Sequence, residues 1–297
     1  MQGTTEQNLE PGAPQKASGQ WLHSVGLRIV TSVIVIPVVL LFVWLGGWWA
    51  FAACLFVVAL GTYELHMMMV HSGYHPLLLV SLALSTLILV SAMLPSPQVR
   101  SSLLEIGFGG ALLISFPWLF FRKKLDGALV DWALTLAFSI YLGWPMSFLL
   151  LLRGYRESWP LSHGALWVLV ALVGVWSFDS AAFFVGRFFG RHKLAPRISP
   201  GKTWEGVLGG LVLSILVSLF ITVGPLGVPW YLGVLLGILI GIAAVLGDLA
   251  ESLMKRQTHV KDSGQIMPGH GGILDRIDSM LFVLIVVYLF AQLLGML

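Results

Sequence analysis

The side chains able to do chemistry concentrate in residues 248–278, just before the last apolar run of the chain. This stretch, called here the charged segment, reads DLAESLMKRQTHVKDSGQIMPGHGGILDRID, in a chain that is only 10% charged. Ionisable groups near a bilayer are costly unless they are paired, hydrated or bound to metal. The mixture of carboxylates, Lys, Arg, His and a Gly-Gly turn therefore predicts a site for metal and phosphate.

The charged segment begins with three polar residues at helical spacing. Asp248, Ser252 and Lys255 are related as i, i+4 and i+7, so a continuing helix places them on one face. Asp248 directly follows a long apolar run, where a carboxylate needs a partner and a divalent cation is a suitable one. Two structural alternatives stay open: Asp248 as a hydrated helix end, and Glu251 with Lys255 as a surface i,i+4 pair.

A glycine-rich turn leads into the last apolar run. Glycines on both sides of His270 allow a tight turn and a close approach to a ligand. The turn delivers Asp275 and Asp278 to the first turn of a helix, where dipole capping is the alternative role for one of them. Magnesium takes one or two carboxylates and shares its other positions with water and phosphates. Cations for those phosphates are supplied by Lys255, Arg256, Lys261 and Arg276.

A second polar segment lies upstream. Asp179 falls inside an apolar run and is a candidate functional residue, with interhelical hydrogen bonding as the alternative. The string SPGKT superficially resembles a phosphate-binding P-loop but lacks its first glycine. A turn, a lysine and a helix N-terminus can nevertheless hold phosphate. The candidates here are Ser199, Lys202, Thr203 and Glu205.

Composition assigns the chain to the polytopic helical membrane proteins. It is 57% hydrophobic with a mean hydropathy of +0.89, and apolar runs long enough to cross a bilayer recur along it. We predict an all-α fold of about nine transmembrane helices. They lie at roughly 26–45, 47–69, 77–95, 103–121, 131–152, 165–186, 205–224, 229–249 and 274–296.

The distribution of basic residues predicts the orientation. With the N-terminus in the cytoplasm, fourteen of the 17 Lys and Arg residues lie inside, and only Arg100, Arg153 and Arg156 lie outside. The C-terminus is then outside. The predicted regions are a flexible polar tail at 1–24, N-terminal transmembrane helices at 25–160, and a catalytic transmembrane region at 161–297 with cytoplasmic loops at 187–204 and 250–273.

The N-terminal half offers little chemistry in its sequence. Glu64, His66, His71 and His75 are expected in a solvated interface loop rather than in a metal cluster, because they lack regular ligand spacing. The single cysteine, Cys54, excludes an internal disulfide and is expected to be a small buried apolar residue.

The charged segment closely resembles the signature of phosphatidate cytidylyltransferases, also called CDP-diacylglycerol synthases. The resemblance rests on SLMKRQTHVKDSGQIMPGHGGILDRID from Ser252 to Asp278, on the preceding Gly247-Asp248-Leu249, and on the upstream KLAPRISPGKTWEG. It covers about 179–278. Two departures, Met267 and Phe183, touch no predicted metal ligand.

The resemblance implies transfer of CMP from CTP to phosphatidate, with magnesium as cofactor. Two metal ions could bind, one of them monovalent, with Asp248 and Asp275 as ligands and Asp278 in support. His270 could be a general acid, a phosphate donor or a turn former. The catalytic residues implied are Asp248, Ser252, Lys255, Lys261, Asp262, His270, Asp275, Arg276 and Asp278. The substrate-binding residues implied are Asp179, Arg187, Ser199, Lys202, Thr203, Glu205 and Arg256.

The expected partners are CTP, phosphatidate and the lipid bilayer, with a second copy in a homodimer and no nucleic acid. The expected location is the cytoplasmic (inner) membrane of a bacterium, with the active site facing the cytoplasm. Two other classes compete. A CDP-alcohol phosphotransferase would need a DGxxAR…GxxxDxxxD spacing that this chain lacks. A transporter would carry its charges near the midplane, whereas these concentrate at one face.

Overall fold

The computed structural model describes residues 33–121, 125–154, 162–264 and 271–297. Helices dominate, and their order follows the predicted apolar runs. They are α1 (Val33–Leu45), α2 (Gly47–His71), α3 (Leu78–Ala92), α4 (Pro97–Phe120), α5 (Ala128–Phe138), α6 (Trp144–Arg153), α7 (His163–Phe189), α8 (Trp204–Val223), α9 (Trp230–Gln257) and α10 (Leu274–Leu293). Between α7 and α8 lie two strands, β1 (Lys193–Ala195) and β2 (Ser199–Thr203).

Among the described residues, six helical stretches are long and apolar enough to cross a membrane: α2, α4, α7, α8, α9 and the continuous stretch Ala128–Arg153. In that stretch a π-helical turn, Ser139–Gly143, joins α5 to α6. Helices α1 and α3 are shorter apolar helices in the part of the chain that the structure describes. The predominantly helical fold is therefore confirmed, and its apolar helices suggest a multi-pass membrane protein. The count of nine spans and the orientation of the termini remain predictions.

Local sequence signals account for several helix boundaries. Gly46 turns the chain between α1 and α2 with a φ of 61°, a conformation that glycine adopts at low cost. Ser96 caps α4, whose first residue is proline, and Ser162 caps α7 by accepting a hydrogen bond from the backbone N–H of Ala165. These polar and glycine positions separate the apolar runs into helices.

Helices extend into both of the predicted cytoplasmic loops. Helix α9 continues past the predicted end at 249 to Gln257, and α7 continues to Phe189. The antiparallel hairpin of β1 and β2 pairs Lys193 with Thr203, a small sheet that the all-α prediction missed.

The C-terminal helices pack closely through glycines. A side chain on Gly206 of α8 would begin 2.7 Å from the carbonyl oxygen of Ala182 in α7. A side chain on Gly247 of α9 would begin 2.9 Å from the Cα of Ser279 in α10. Small residues let helix backbones approach in this way, as is typical of membrane helices. Cys54 is buried, as predicted.

Candidate active site

The crossing of α9 and α10 brings the two ends of the charged segment close to each other. Because Gly247 lies against the backbone of Asp278 and Ser279, the next residue, Asp248, is held close to the N-terminal part of α10. The carboxylates of Asp248 and Asp278 interact electrostatically. Asp278 is buried, and its Oδ1 accepts a hydrogen bond of 2.6 Å from the backbone N–H of Ser279. Two carboxylates predicted as metal ligands therefore belong to one charged region at the crossing of α9 and α10.

Asp248 also contacts two of the predicted phosphate-binding residues. Its Oδ1 accepts a hydrogen bond of 3.2 Å from the hydroxyl of Ser252, one turn further along α9. Its Oδ2 lies 2.6 Å from the Nζ of Lys202, which β2 supplies. Asp248 does not lie at a helix end, because α9 continues to Gln257, and both of its oxygens have side-chain partners.

Lys255 lies between two carboxylates. Its Nζ is 2.6 Å from Oε2 of Glu251 and 2.6 Å from Oδ1 of Asp275. The side chains of Glu251 and Asp275 are 1% and 10% exposed, so the pair of Glu251 and Lys255 is not the surface pair considered from the sequence. Lys255 supplies the positive charge that allows two carboxylates to be buried together at this point.

Asp275 holds the turn before α10 in place. Its Oδ2 accepts hydrogen bonds from the backbone N–H of Gly272 at 2.8 Å and from the backbone N–H and hydroxyl of Ser263 at 3.1 and 2.9 Å. Gly271 adopts a φ of 78°, and a side chain there would begin 2.8 Å from the same oxygen. Asp275 lies in the first turn of α10, where the helix dipole favours a carboxylate, but its hydrogen bonds go to residues that precede the helix, and it also contacts Lys255.

The hairpin uses several predicted substrate-binding residues to hold its own shape. Thr203 caps α8 by accepting a hydrogen bond of 3.2 Å from the backbone N–H of Gly206. Glu205 accepts hydrogen bonds from the backbone N–H groups of Arg191 and His192, and its Oε1 lies 2.6 Å from the Nδ1 of His192. Both residues therefore shape the hairpin, and their contacts with substrate remain predictions.

Two cationic side chains dock the hairpin on α9. Arg256 donates a hydrogen bond of 3.1 Å from Nε to the carbonyl oxygen of Ile198, between the two strands. Lys202 supplies the second connection through Asp248. The hairpin is thus held against the polar end of α9, as the prediction of one shared site for the two polar segments requires.

The remaining predicted residues surround this centre in different ways. Asp179 of α7 interacts electrostatically with Asp248 and Asp278, so it belongs to the same charged region. Ser199 is half-buried in β2, opposite Ala195. The other described side chains of the set are exposed, namely Arg187, Lys261, Asp262 and Arg276. His270 lies outside the described residues.

Glu64 is a residue of this region that the sequence analysis missed. It lies in α2, which continues to His71, and its side chain is 2% exposed, so the expectation of a solvated loop is wrong for it. Its two oxygens accept hydrogen bonds from the backbone N–H groups of Ile273 and Leu274, each at 2.9 Å. A carboxylate within an apolar helix is itself a sign of function. The same criterion identified Asp179 as a candidate, and it would have identified Glu64 if it had been applied to α2.

The residues fit a magnesium site in their donor chemistry. Among the described residues, no three His, Cys, Asp or Glu side chains converge on a metal position. Magnesium needs only one or two carboxylates when phosphates and water complete its shell. Asp248 and Asp275 are such carboxylates, and each already has a cationic partner, a lysine ammonium group at 2.6 Å.

Sequence comparison assigns the chain to a family. The profile of the cytidylyltransferase family matches residues 26–294, which is nearly the whole chain. This protein therefore belongs to the cytidylyltransferase family and is an enzyme, which confirms the resemblance seen in the charged segment.

Similar bacterial relatives carry a more specific name. The phosphatidate cytidylyltransferase of Synechocystis sp. is 37% identical, over 90% of this chain and 96% of the relative. That of Pseudomonas aeruginosa is 36% identical, over 85% of this chain and 92% of the relative. That of Brucella suis is 35% identical, over 89% of this chain and 92% of the relative.

Proposed function

We propose that this enzyme transfers CMP from CTP to phosphatidate, forming CDP-diacylglycerol and pyrophosphate for phospholipid synthesis. The observation that carries the proposal is the similarity, over nearly the full length of both chains, to proteins named phosphatidate cytidylyltransferase. The clustering of carboxylates, Lys and Ser at the adjoining ends of α9, α10 and the hairpin supports it, because both substrates are polyanions.

The proposed reaction needs positioning more than it needs a strong base. An ionised phosphate oxygen of phosphatidate attacks the α-phosphorus of CTP, and the bond from that phosphorus to the bridging oxygen breaks, releasing pyrophosphate. The barrier lies in bringing two polyanions together and in stabilising the charge that develops on the leaving group. Lys202 and Lys255 are suited to both tasks, because each already contacts a carboxylate that a bound cation would share.

Magnesium is the proposed cofactor, held by Asp248 and Asp275 with Asp278 in support. When bound, it would neutralise phosphate charge and orient the reacting groups. Ser252 and Arg276 would then help to orient phosphate oxygens, and Ser199 would approach from the hairpin. The carboxylate partner of Lys202 is Asp248, which is one-third exposed. Lys202 can therefore exchange its ion pair with Asp248 for one with a phosphate at small cost in free energy.

The proposed location follows from the charge bias of the sequence. The site lies at one end of the helical bundle, where the C-terminal parts of α2 and α9 meet the start of α10. We propose that this end faces the cytoplasm of a bacterial cell, because most Lys and Arg residues fall on that side in the favoured orientation. CTP would then reach the site from the cytoplasm and phosphatidate from the bilayer.

A direct assay tests the function. The purified protein is incubated in detergent micelles with CTP labelled at the α-phosphate, phosphatidate and magnesium, and lipid-linked CMP is measured together with pyrophosphate. Both products are expected in equal amounts. Transfer from CDP-diacylglycerol to an alcohol instead would indicate a CDP-alcohol phosphotransferase, and CTP-independent solute uptake into vesicles would indicate a transporter. Either result without lipid-linked CMP would contradict the proposal.

A further inference from the structure

Glu64 connects the N-terminal helices to the candidate active site. We propose that Glu64 is a positioning residue, which sets the place of the α10 N-terminus and through it the carboxylates of Asp275 and Asp278. The catalytic consequence rests on the function proposed above, whereas the structural consequence does not.

The first support is the fit of the Glu64 carboxylate to the helix end. Oε1 accepts a hydrogen bond from the backbone N–H of Ile273, and Oε2 accepts one from that of Leu274, both at 2.9 Å. Helix α10 begins at Leu274, and the preceding residue, Ile273, has no side chain able to cap it. The first N–H groups of a helix need acceptors, and a negative charge there is favoured by the helix dipole. Glu64 provides both from a different helix.

The second support is the space reserved for this carboxylate. Side chains on Gly264 and Gly272 would each begin 2.5 Å from one of its oxygens, closer than real atoms approach. Glycine at these two positions therefore makes room for Glu64. The same helix, α2, is followed by a second contact with this region, where the hydroxyl of Ser72 donates a 3.1 Å hydrogen bond to the carbonyl oxygen of Thr258.

The third support is a direct connection to a proposed metal ligand. The hydroxyl of Ser263 lies 3.2 Å from Oε2 of Glu64 and 2.9 Å from Oδ2 of Asp275. The hydroxyl has one proton and donates it to one carboxylate at a time. A change at Glu64 therefore alters the hydrogen bond from Ser263 to Asp275, and in this sense Ser263 couples the two carboxylates. Asp275 in turn contacts Lys255. A shift of Glu64 is therefore transmitted to the charged groups that would hold the cation and the phosphates.

These contacts also define what Glu64 does not do. Both of its oxygens face donors of the protein, and its side chain is 2% exposed, so substrate does not reach it. Removing this carboxylate should therefore lower kcat by displacing the start of α10, and it should leave the affinity for CTP unchanged. Partners that orient metal ligands typically contribute about 10–100-fold to activity or metal affinity.

The test uses Glu64→Gln with Glu105→Gln as the matched control. The amide introduced by Glu64→Gln would place an NH₂ group against an N–H or O–H donor, while Glu105 is an exposed carboxylate on α4 that undergoes the same chemical change. Hydrogen exchange of the Ile273 and Leu274 amides and steady-state kinetics are measured on the full-length protein. We expect faster exchange at these amides and a kcat lowered about 10–100-fold, with a KM for CTP within about threefold of the unaltered enzyme.

The outcomes separate the two proposals. Unchanged exchange at Ile273 and Leu274 in Glu64→Gln overturns the positioning role, whatever happens to kcat. Faster exchange with normal kcat also overturns it, because the helix end would then not control catalysis. If the unaltered protein makes no lipid-linked CMP, the proposed function fails, and the exchange result alone decides whether Glu64 sets the helix end.

A second variant covers the case in which Glu64→Gln does not fold. Ser263→Ala leaves the backbone contacts of Glu64 in place and removes only the hydroxyl that couples it to Asp275. We expect a smaller fall in kcat and a higher magnesium requirement at unchanged KM for CTP. Normal kcat together with an unchanged magnesium requirement would overturn the coupling.

Discussion

The Nζ of Lys202 lies 2.6 Å from Oδ2 of Asp248, and this pair joins the β-hairpin to the polar end of α9. Its side chains are 21% and 33% exposed. Partly exposed pairs contribute only about 0–1 kcal/mol to stability, so this one can open at small cost when a cation or a phosphate binds. The more buried contacts of Lys255 serve a different purpose, since they neutralise two carboxylates that have little access to water.

Replacing Lys202 should lower activity without unfolding the protein. Lys202→Gln removes an ammonium group proposed to move from Asp248 to phosphate, and we expect kcat/KM for CTP to fall about 10–100-fold, as for loss of a charge-assisted hydrogen bond. Lys193→Gln, an exposed change on the same hairpin, should leave it within about twofold. Equal activities of the two variants would exclude the phosphate role of Lys202.

Replacing Lys255 should destabilise the protein. Lys255→Met leaves Glu251 and Asp275 buried without their shared cation, a change that typically costs about 3–5 kcal/mol. We expect a clearly lower melting temperature in detergent than that of Lys193→Met. The double variant Glu251→Gln/Lys255→Met should recover part of the loss, because one of the two buried charges is then gone. A double variant no more stable than Lys255→Met would contradict this account.

The approach of α9 to α10 should be sensitive to a single methyl group. Gly247→Ala would place its Cβ 2.9 Å from the Cα of Ser279, whereas a Cβ on Gly109 of α4 meets nothing within 4 Å. We expect Gly247→Ala to lose about 1–3 kcal/mol of stability and most activity, and Gly109→Ala to match or exceed the unaltered protein. Thermal melting and the transfer assay measure both. An active, stable Gly247→Ala variant would mean that the crossing is looser than described.

Arg153 should affect stability without affecting substrate affinity. It is buried, and its guanidinium donates to the carbonyl oxygens of Val43 and Trp44 at the end of α1, at 2.6 and 3.0 Å. The start of α2 beside this point is ~26 Å along the helix from Glu64, at 1.5 Å per residue. We expect Arg153→Met to lower the melting temperature while the KM for CTP stays unchanged. A raised KM would show that this end of the bundle is coupled to the site.

Magnesium binding can be measured apart from turnover. Magnesium with a non-hydrolysable CTP analogue should raise the melting temperature of the protein, because a ligand that binds only the folded state stabilises it. Asp248→Asn and Asp275→Asn should abolish most of this increase, and Glu105→Gln should retain it. The same increase in Asp248→Asn or in Asp275→Asn as in the unaltered protein would exclude that residue as a ligand.

Much of the fold could be predicted from the sequence because membrane helices are determined locally. The length of each apolar run, the glycines and prolines between runs, and the caps at Ser96 and Ser162 are all properties of neighbouring residues. The charged segment was predicted to be the site for the same reason, since its motif is continuous in the sequence. The predicted span ended at 249, whereas α9 continues to Gln257, because the end of an apolar run does not end a helix. The helical spacing of Asp248, Ser252 and Lys255 had indicated this continuation.

By itself, the sequence determined the helical class and the family, and it predicted most of the side chains of the candidate site but not Glu64. Only the tertiary structure decided which side chains meet: Lys202 with Asp248, Lys255 with Glu251 and Asp275, and Glu64 with the start of α10. Glu64 and Leu274 are 210 positions apart, so no local pattern connects them. Their contact exists because two helices pack side by side and a buried carboxylate needs donors, which the unsatisfied N–H groups of a helix end provide.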